Sequence, residues 1–261
     1  MDTKNCKKVY ERARNYLLSF DGVDNEIIDK HLDHWKQNNP KSLKTLLFAM
    51  LDSVQNRLGM PNAIGKLENL RTCFCDFDPT KIIREYKNDW RKLFRRVSKE
   101  YNPPGRMDID NPRSYWVIFC KSTLSASNFL STFANFKKFN AFVETFDFNE
   151  YTRVALPLLL EKEVFGLGFA LACDFLKENG YPKFIKPDVH IMKIFNGIGF
   201  SNSELDYEVF KDVIRFAEAI DEIPYRVDKL FWLVGSGRFY LDEKRISTDR
   251  DDFIRKVRSE L

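Results

Sequence analysis

Apolar residues recur at helical spacing along nearly the whole chain, and that period sets an all-α fold as the class to expect. The spacing predicts helices over 6–20, 26–36, 42–57 and 80–101, and a further Phe- and Ser-rich helical stretch over 113–139. In the 80–101 segment Ile83, Tyr86, Trp90, Phe94 and Val97 form an apolar stripe, and Arg91, Lys92, Arg95, Arg96 and Lys99 share the opposite face. A charge run of this kind is ordinarily a solvated face, and a contact with a nucleic-acid backbone is its functional reading. Asn102-Pro103-Pro104-Gly105 breaks the pattern, and Phe253, Ile254 and Val257 mark a charged surface helix further on.

With 261 residues, 44% hydrophobic and 15% aromatic, the chain can bury a large core as one large or two interlocked helical lobes. It has no long apolar run free of charge, so an intracellular protein of the cytoplasm or nucleoid is expected, without membrane contact and with reduced thiols. The five cysteines, Cys6, Cys73, Cys75, Cys120 and Cys173, are odd in number and contain no Cys-x-x-Cys pair, so no metal site is expected. His31 and His34 lie three apart on a predicted helix and lack a third ligand, which favours a solvated helix face over a metal pair. A net charge of +4 permits nucleic-acid binding without requiring it.

Chemistry concentrates between Val164 and Phe200. The turn Phe165-Gly166-Leu167-Gly168 separates helical runs over 151–163 and 169–178 and reads as a helix-hairpin-helix. Val164 and Leu167 would anchor it in the core, while the N–H groups around Gly168, Phe169 and Ala170 would face outward at the positive end of a helix, where a phosphate can bind. The same turn can equally be a tight connection that binds nothing. At position 188, twenty residues past Gly168, an aspartate opens a helix over 189–196. Its ordinary role would be the N-cap, worth about 0.5–2 kcal/mol.

The order of Gly166-x-Gly168, a small-residue helix, a loop and Pro187-Asp188-Val189-His190 resembles the helix-hairpin-helix (HhH-GPD) DNA glycosylase superfamily, which includes endonuclease III and the 8-oxoguanine glycosylases. A weaker match lies at Ser53-Val54-Gln55. The resemblance implies a two-lobed helical fold: a central lobe over about 60–182 that contains the hairpin 164–170, and a second lobe from 1–59 plus 183–261, with a cleft between them for a base. It makes Asp188 the catalytic carboxylate, supported by His190, and Gly166, Gly168, Phe169, Ala170 and Lys193 the contacts to DNA phosphate. Gln55 and Asn56 become candidates to fill the gap left by an extruded base, and Trp232 a candidate to stack on that base.

Two departures narrow the expectation. Bifunctional members carry a lysine two residues after the second hairpin glycine, and this chain has Ala170 there. Strand cleavage by the usual amine is therefore not expected, with Lys186 as the displaced substitute if any. The four-cysteine loop of endonuclease III-like proteins is also missing, and no cofactor is expected. The resulting expectation is a monomeric glycosylase that flips out and hydrolyses a damaged or modified base from double-stranded DNA, in a repair or anti-phage role. The alternatives are a non-catalytic helix-hairpin-helix protein that recognises distorted DNA and a helical protein-interaction domain.

Overall fold

The computed structural model describes residues 1–37 and 39–261. Its elements, in chain order, are α1 (Thr3–Leu18), α2 (Asn25–Leu32), α3 (Leu43–Gln55), α4 (Met60–Ile64), α5 (Pro79–Tyr86), α6 (Trp90–Glu100), α7 (Tyr115–Ser131), α8 (Phe136–Glu144), α9 (Glu150–Glu163), α10 (Phe169–Glu178), α11 (Val189–Ile198), α12 (Asp206–Ala219), α13 (Pro224–Ser236), β1 (Arg238–Phe239), β2 (Lys244–Arg245) and α14 (Arg250–Arg258). The fold is all-α, with a single two-residue ladder between β1 and β2 among the described residues. No helix among those residues is long and apolar enough to cross a membrane.

The chain divides into two compact units. A hairpin unit comprises Pro40–Phe148 and Ala155–Phe175, and a terminal unit comprises Met1–Asn39, Asn149–Val154 and Leu176–Leu261. These limits differ from the expected lobes at both ends. Residues 40–59 group with the hairpin because Leu46, Leu47, Met50, Leu51 and Val54 are buried on α3, which packs on α7. Residues 176–182 group with the terminal unit, where the Lys177 ammonium pairs with Asp228 at 3.1 Å.

In the hairpin unit α7 is buried almost all round, as a helix with apolar side chains on every face must be. Its hydroxyls do not break this pattern because each donates back one turn: Ser122 Oγ to the Ile118 carbonyl at 2.9 Å, Thr123 Oγ1 to Phe119 at 2.8 Å and Ser127 Oγ to Thr123 at 2.7 Å. Each buried Val, Leu, Ile or Phe here contributes about 1.5–3 kcal/mol. The expected helix over 80–101 is two helices. Lys87 and Asn88 take left-handed backbone conformations, and the Asp89 carboxylate caps α6 through the Arg91 and Lys92 N–H groups. The helical stretch expected over 113–139 likewise breaks after α7, and Asn135 caps α8.

In the terminal unit α13 is the central helix and carries the buried residues Tyr225, Leu230, Phe231, Leu233 and Val234; α1, α2, α11 and α12 pack on it. Two of its charged residues, Asp228 and Lys229, are also buried. Lys229 Nζ reaches Glu178 Oε1 at 2.9 Å, Lys177 Nζ reaches the same oxygen at 3.3 Å, and the Tyr225 hydroxyl donates to Glu178 Oε2 at 3.2 Å. Burial alone would raise the Glu178 carboxyl, but the two ammonium groups outweigh it and hold its pKa down at about 2.

Candidate functional site

Asp188 sits at the start of α11 in the terminal unit. The Lys186-Pro187 pair delivers it in an extended conformation (φ −82°, ψ −179°), as an N-cap requires. Its Oδ1 accepts from the His190 N–H at 2.9 Å and the Ile191 N–H at 3.1 Å. Its Oδ2 has no hydrogen-bond partner among the described residues. The preceding loop is pinned from inside: the Lys186 N–H donates to the buried Asp228 carboxylate at 2.6 Å. The cap and the pin together fix the carboxylate's position.

Asp188 lines a cleft of about 770 Å³ with Val189, His190, Trp232, Gly235, Ser236, Arg238, Arg245, Ile246, Ser247 and Thr248. Three residues singled out in the sequence, Asp188, His190 and Trp232, therefore meet around one opening. Lys186 is not among the lining residues. The Trp232 ring is held edge-on to Tyr240, with centroids 5.9 Å apart, and the Lys229 ammonium lies 5.6 Å from its centre. His190 packs so closely on α13 that a Cβ at Gly235 would lie 2.7 Å from its own Cβ, so only glycine fits there. Burial holds the His190 imidazole below its ordinary pKa and the nearby Arg250 acts in the same direction, against the opposing effect of Asp188. Lys193 is exposed on α11 in this same unit.

The hairpin turn belongs to the other unit. Val164 and Leu167 are fully buried, and the Phe165 N–H donates to Ser125 Oγ of α7 at 2.8 Å. Gly166 has φ +79°, and a Cβ there would lie 2.7 Å from Ser122 Oγ, so this glycine is required by the protein itself. Gly168 is different, because a Cβ there would meet nothing within 4 Å. Its carbonyl accepts from the Leu171 and Ala172 N–H groups, which makes it the residue at the start of α10, and it has no side chain with which to cap that helix. The first turn of α10 carries no acidic residue. Ala170 is half-buried and Phe169 is in the core.

Gln55 does not stand where a group reaching into a ligand would stand. It is 7% exposed, and its side-chain amide donates to the Gly65 carbonyl at 2.5 Å, which holds the side chain against the protein. Asn56 is exposed, with its amide bonded to Asp174 at 3.1 Å. Sequence reasoning missed Leu58, which is 93% exposed. The turn that presents it is held by the Tyr115 hydroxyl, which donates to the Leu58 carbonyl at 2.9 Å. The available signal was a leucine standing outside the helical period, immediately before Gly59. On α6, Lys92 and Arg96 pair with Glu85 and Glu100, whereas Arg91, Arg95 and Lys99 are exposed with no acidic partner among the described residues.

The histidine pair is not a solvated face. His31 is fully buried, its Nε2 is 3.2 Å from Asp242 Oδ2, and its ring stands edge-on to Phe239 and Tyr240. Desolvation lowers its pKa to about 4 against the partial compensation of Asp242. No group of three or more His, Cys, Asp or Glu side chains able to hold a metal occurs among the described residues.

No family model matches the chain, and no curated protein matches it. Among solved structures it is similar to the 8-oxoguanine glycosylase/lyase of Methanocaldococcus jannaschii, crystallised in complex with a 15mer DNA containing 8-oxoguanine. The two share 16% sequence identity with a TM-score of 0.52, over 89% of this chain and 99% of that one. At that identity the likeness is one of backbone path, and it extends over nearly all of both chains. The chain therefore shares the all-α fold of that glycosylase/lyase structure.

Proposed function

We propose that this protein is a DNA glycosylase that extrudes a damaged or modified base from duplex DNA and removes it by hydrolysis, with Asp188 as the catalytic carboxylate. The observation that carries the reading is the division of labour on Asp188: one oxygen is committed to the α11 cap, while the other has no partner among the described residues, on a residue that lines a cleft large enough for a nucleoside. Loss of the base leaves an oxocarbenium-like sugar. A carboxylate beneath it stabilises the developing charge and orients the attacking water. Extrusion costs a few kcal/mol, least for a damaged or mispaired base. Trp232 offers the extruded base a ring at the cleft wall, and the amides around Gly168 to Ala170 hold a phosphate by main chain alone, without reading sequence. The gap in the stack is filled from the α3–α4 turn, by Asn56 or Leu58 in preference to the buried Gln55.

Base removal proceeds without strand cleavage, because Ala170 stands where the lyase amine would be and Lys186 does not line the cleft. The test is Asp188→Asn, assayed for base release on a panel of single-lesion duplexes. Asparagine caps a helix as well as aspartate does, so folding and DNA binding should persist while release falls by roughly 10³-fold or more. Release at the wild-type rate would refute the assignment of Asp188. Borohydride reduction during turnover should trap no covalent complex, and efficient trapping would show that some other amine supplies a lyase step.

A further inference from the structure

The β1–β2 ribbon sets Arg238 directly opposite Arg245. Opposed residues on an antiparallel pair lie on the same face with Cβ atoms about 4.5–5.5 Å apart, where like charges oppose pairing. A ladder of two residues per strand has little else to offset that repulsion. The chain does not offset it either: both arginines are exposed, and neither has an acidic partner among the described residues. Elsewhere in the same unit Arg12, Arg14, Arg153, Arg215 and Arg226 all do. Both members of the pair line the cleft that holds Asp188, next to the hydroxyls of Ser236, Ser247 and Thr248. Two planar, permanently charged donor groups and three hydroxyls make a site for an oxyanion.

From this arrangement we infer that Arg238 and Arg245 form a phosphate-binding site for the DNA strand whose nucleotide enters the cleft, separate in sequence and in compact unit from the hairpin. The identity of the ligand as DNA rests on the glycosylase reading. The preference for an oxyanion rests on the ribbon alone. In the free protein the pair is a source of repulsion, and a bound phosphodiester turns it into a source of affinity.

Stability and binding should consequently respond in opposite directions. Arg245→Glu places a carboxylate across from Arg238, so melting of the free protein should move to the same or a higher temperature. Affinity for a duplex carrying a stable abasic-site analogue should fall about tenfold or more. The slope of log affinity against log salt should flatten by about one to two units, at roughly 0.9 for each phosphate that is no longer neutralised. Arg238→Gln should flatten the slope in the same sense. A lower melting temperature with unchanged affinity and slope would overturn the inference and make the ribbon structural. Loss of DNA binding at the wild-type slope would also count against it. If wild-type protein binds no DNA, the glycosylase reading fails separately, and the anion site is then judged with inorganic phosphate. A melting-temperature rise that Arg245→Glu abolishes supports the site, and the absence of any rise overturns it.

Discussion

The hairpin and the Asp188 cleft solve different problems with different parts of the polypeptide. At the hairpin, main chain is open to a ligand beside the exposed Phe165 ring, because Gly168 carries no side chain and has open space where a Cβ would be. At the cleft a ligand would meet side chains: a carboxylate, an indole, an imidazole and two guanidinium groups. The first arrangement depends on what is missing and the second on what is held in place. Loss of the open backbone at Gly168 should therefore appear in binding, and loss of the Asp188 carboxylate in turnover.

The largest effect after Asp188→Asn is expected within the hairpin itself, and it concerns folding. Gly166→Ala must adopt φ +79° and push against Ser122, at a cost of about 1–3 kcal/mol. Melting temperature should fall by several degrees. Gly168→Ala tests the opposite property. Its new methyl group has room in the free protein, so stability should change by less than about 1 kcal/mol, the scale of a weakened cap. DNA affinity should nevertheless fall several-fold while the rate of base release from saturated enzyme is kept. If both glycine variants lost only stability, the hairpin would be a plain connection.

Next in size is the turn after α3. Leu58→Ala should slow base release several-fold with stability unchanged, because nothing is packed on a side chain that is 93% exposed. Gln55→Ala should instead lower stability by about 0.5–1.5 kcal/mol through the lost hydrogen bond to the Gly65 carbonyl. An exchange of these two outcomes would restore Gln55 as the inserted group.

A pH dependence, silent near neutral pH, comes last. His31 is neutral in the folded protein down to about pH 4, whereas an unfolded histidine binds its proton near pH 6.5. The unfolded state thus holds more protons between those values, and stability should decline as pH drops through that window and level off below it. His31→Asn should flatten the decline, as measured by urea unfolding at a series of pH values.

Much of the secondary structure was legible because helical period and caps are local. The anchors Val164 and Leu167, and the cap at Asp188, could be read for the same reason. The split between α5 and α6 escaped because the apolar stripe continues across it, although Asn88-Asp89 carries the stop and the cap. What the sequence hid is long-range. The need for Gly166 depends on Ser122, more than forty positions earlier. The burial of His31 depends on Asp242, and the pin beneath Lys186 on Asp228. The opposition of Arg238 and Arg245 depends on the register of a turn, which neither residue reveals alone.

The terminal unit is discontinuous in the chain, and this bears on how the protein is made. The apolar side of α1, formed by Cys6, Val9, Ala13 and Leu17, packs on α13, which begins about two hundred residues later. At roughly 5–20 residues per second of synthesis, that surface waits on the order of ten to forty seconds for its partner. The hairpin unit, nearly continuous from residue 40 to residue 175, can close in the meantime. A ribosome that stalls between α10 and α13 would release a chain with one finished body and one exposed apolar helix, a substrate for chaperones or for aggregation.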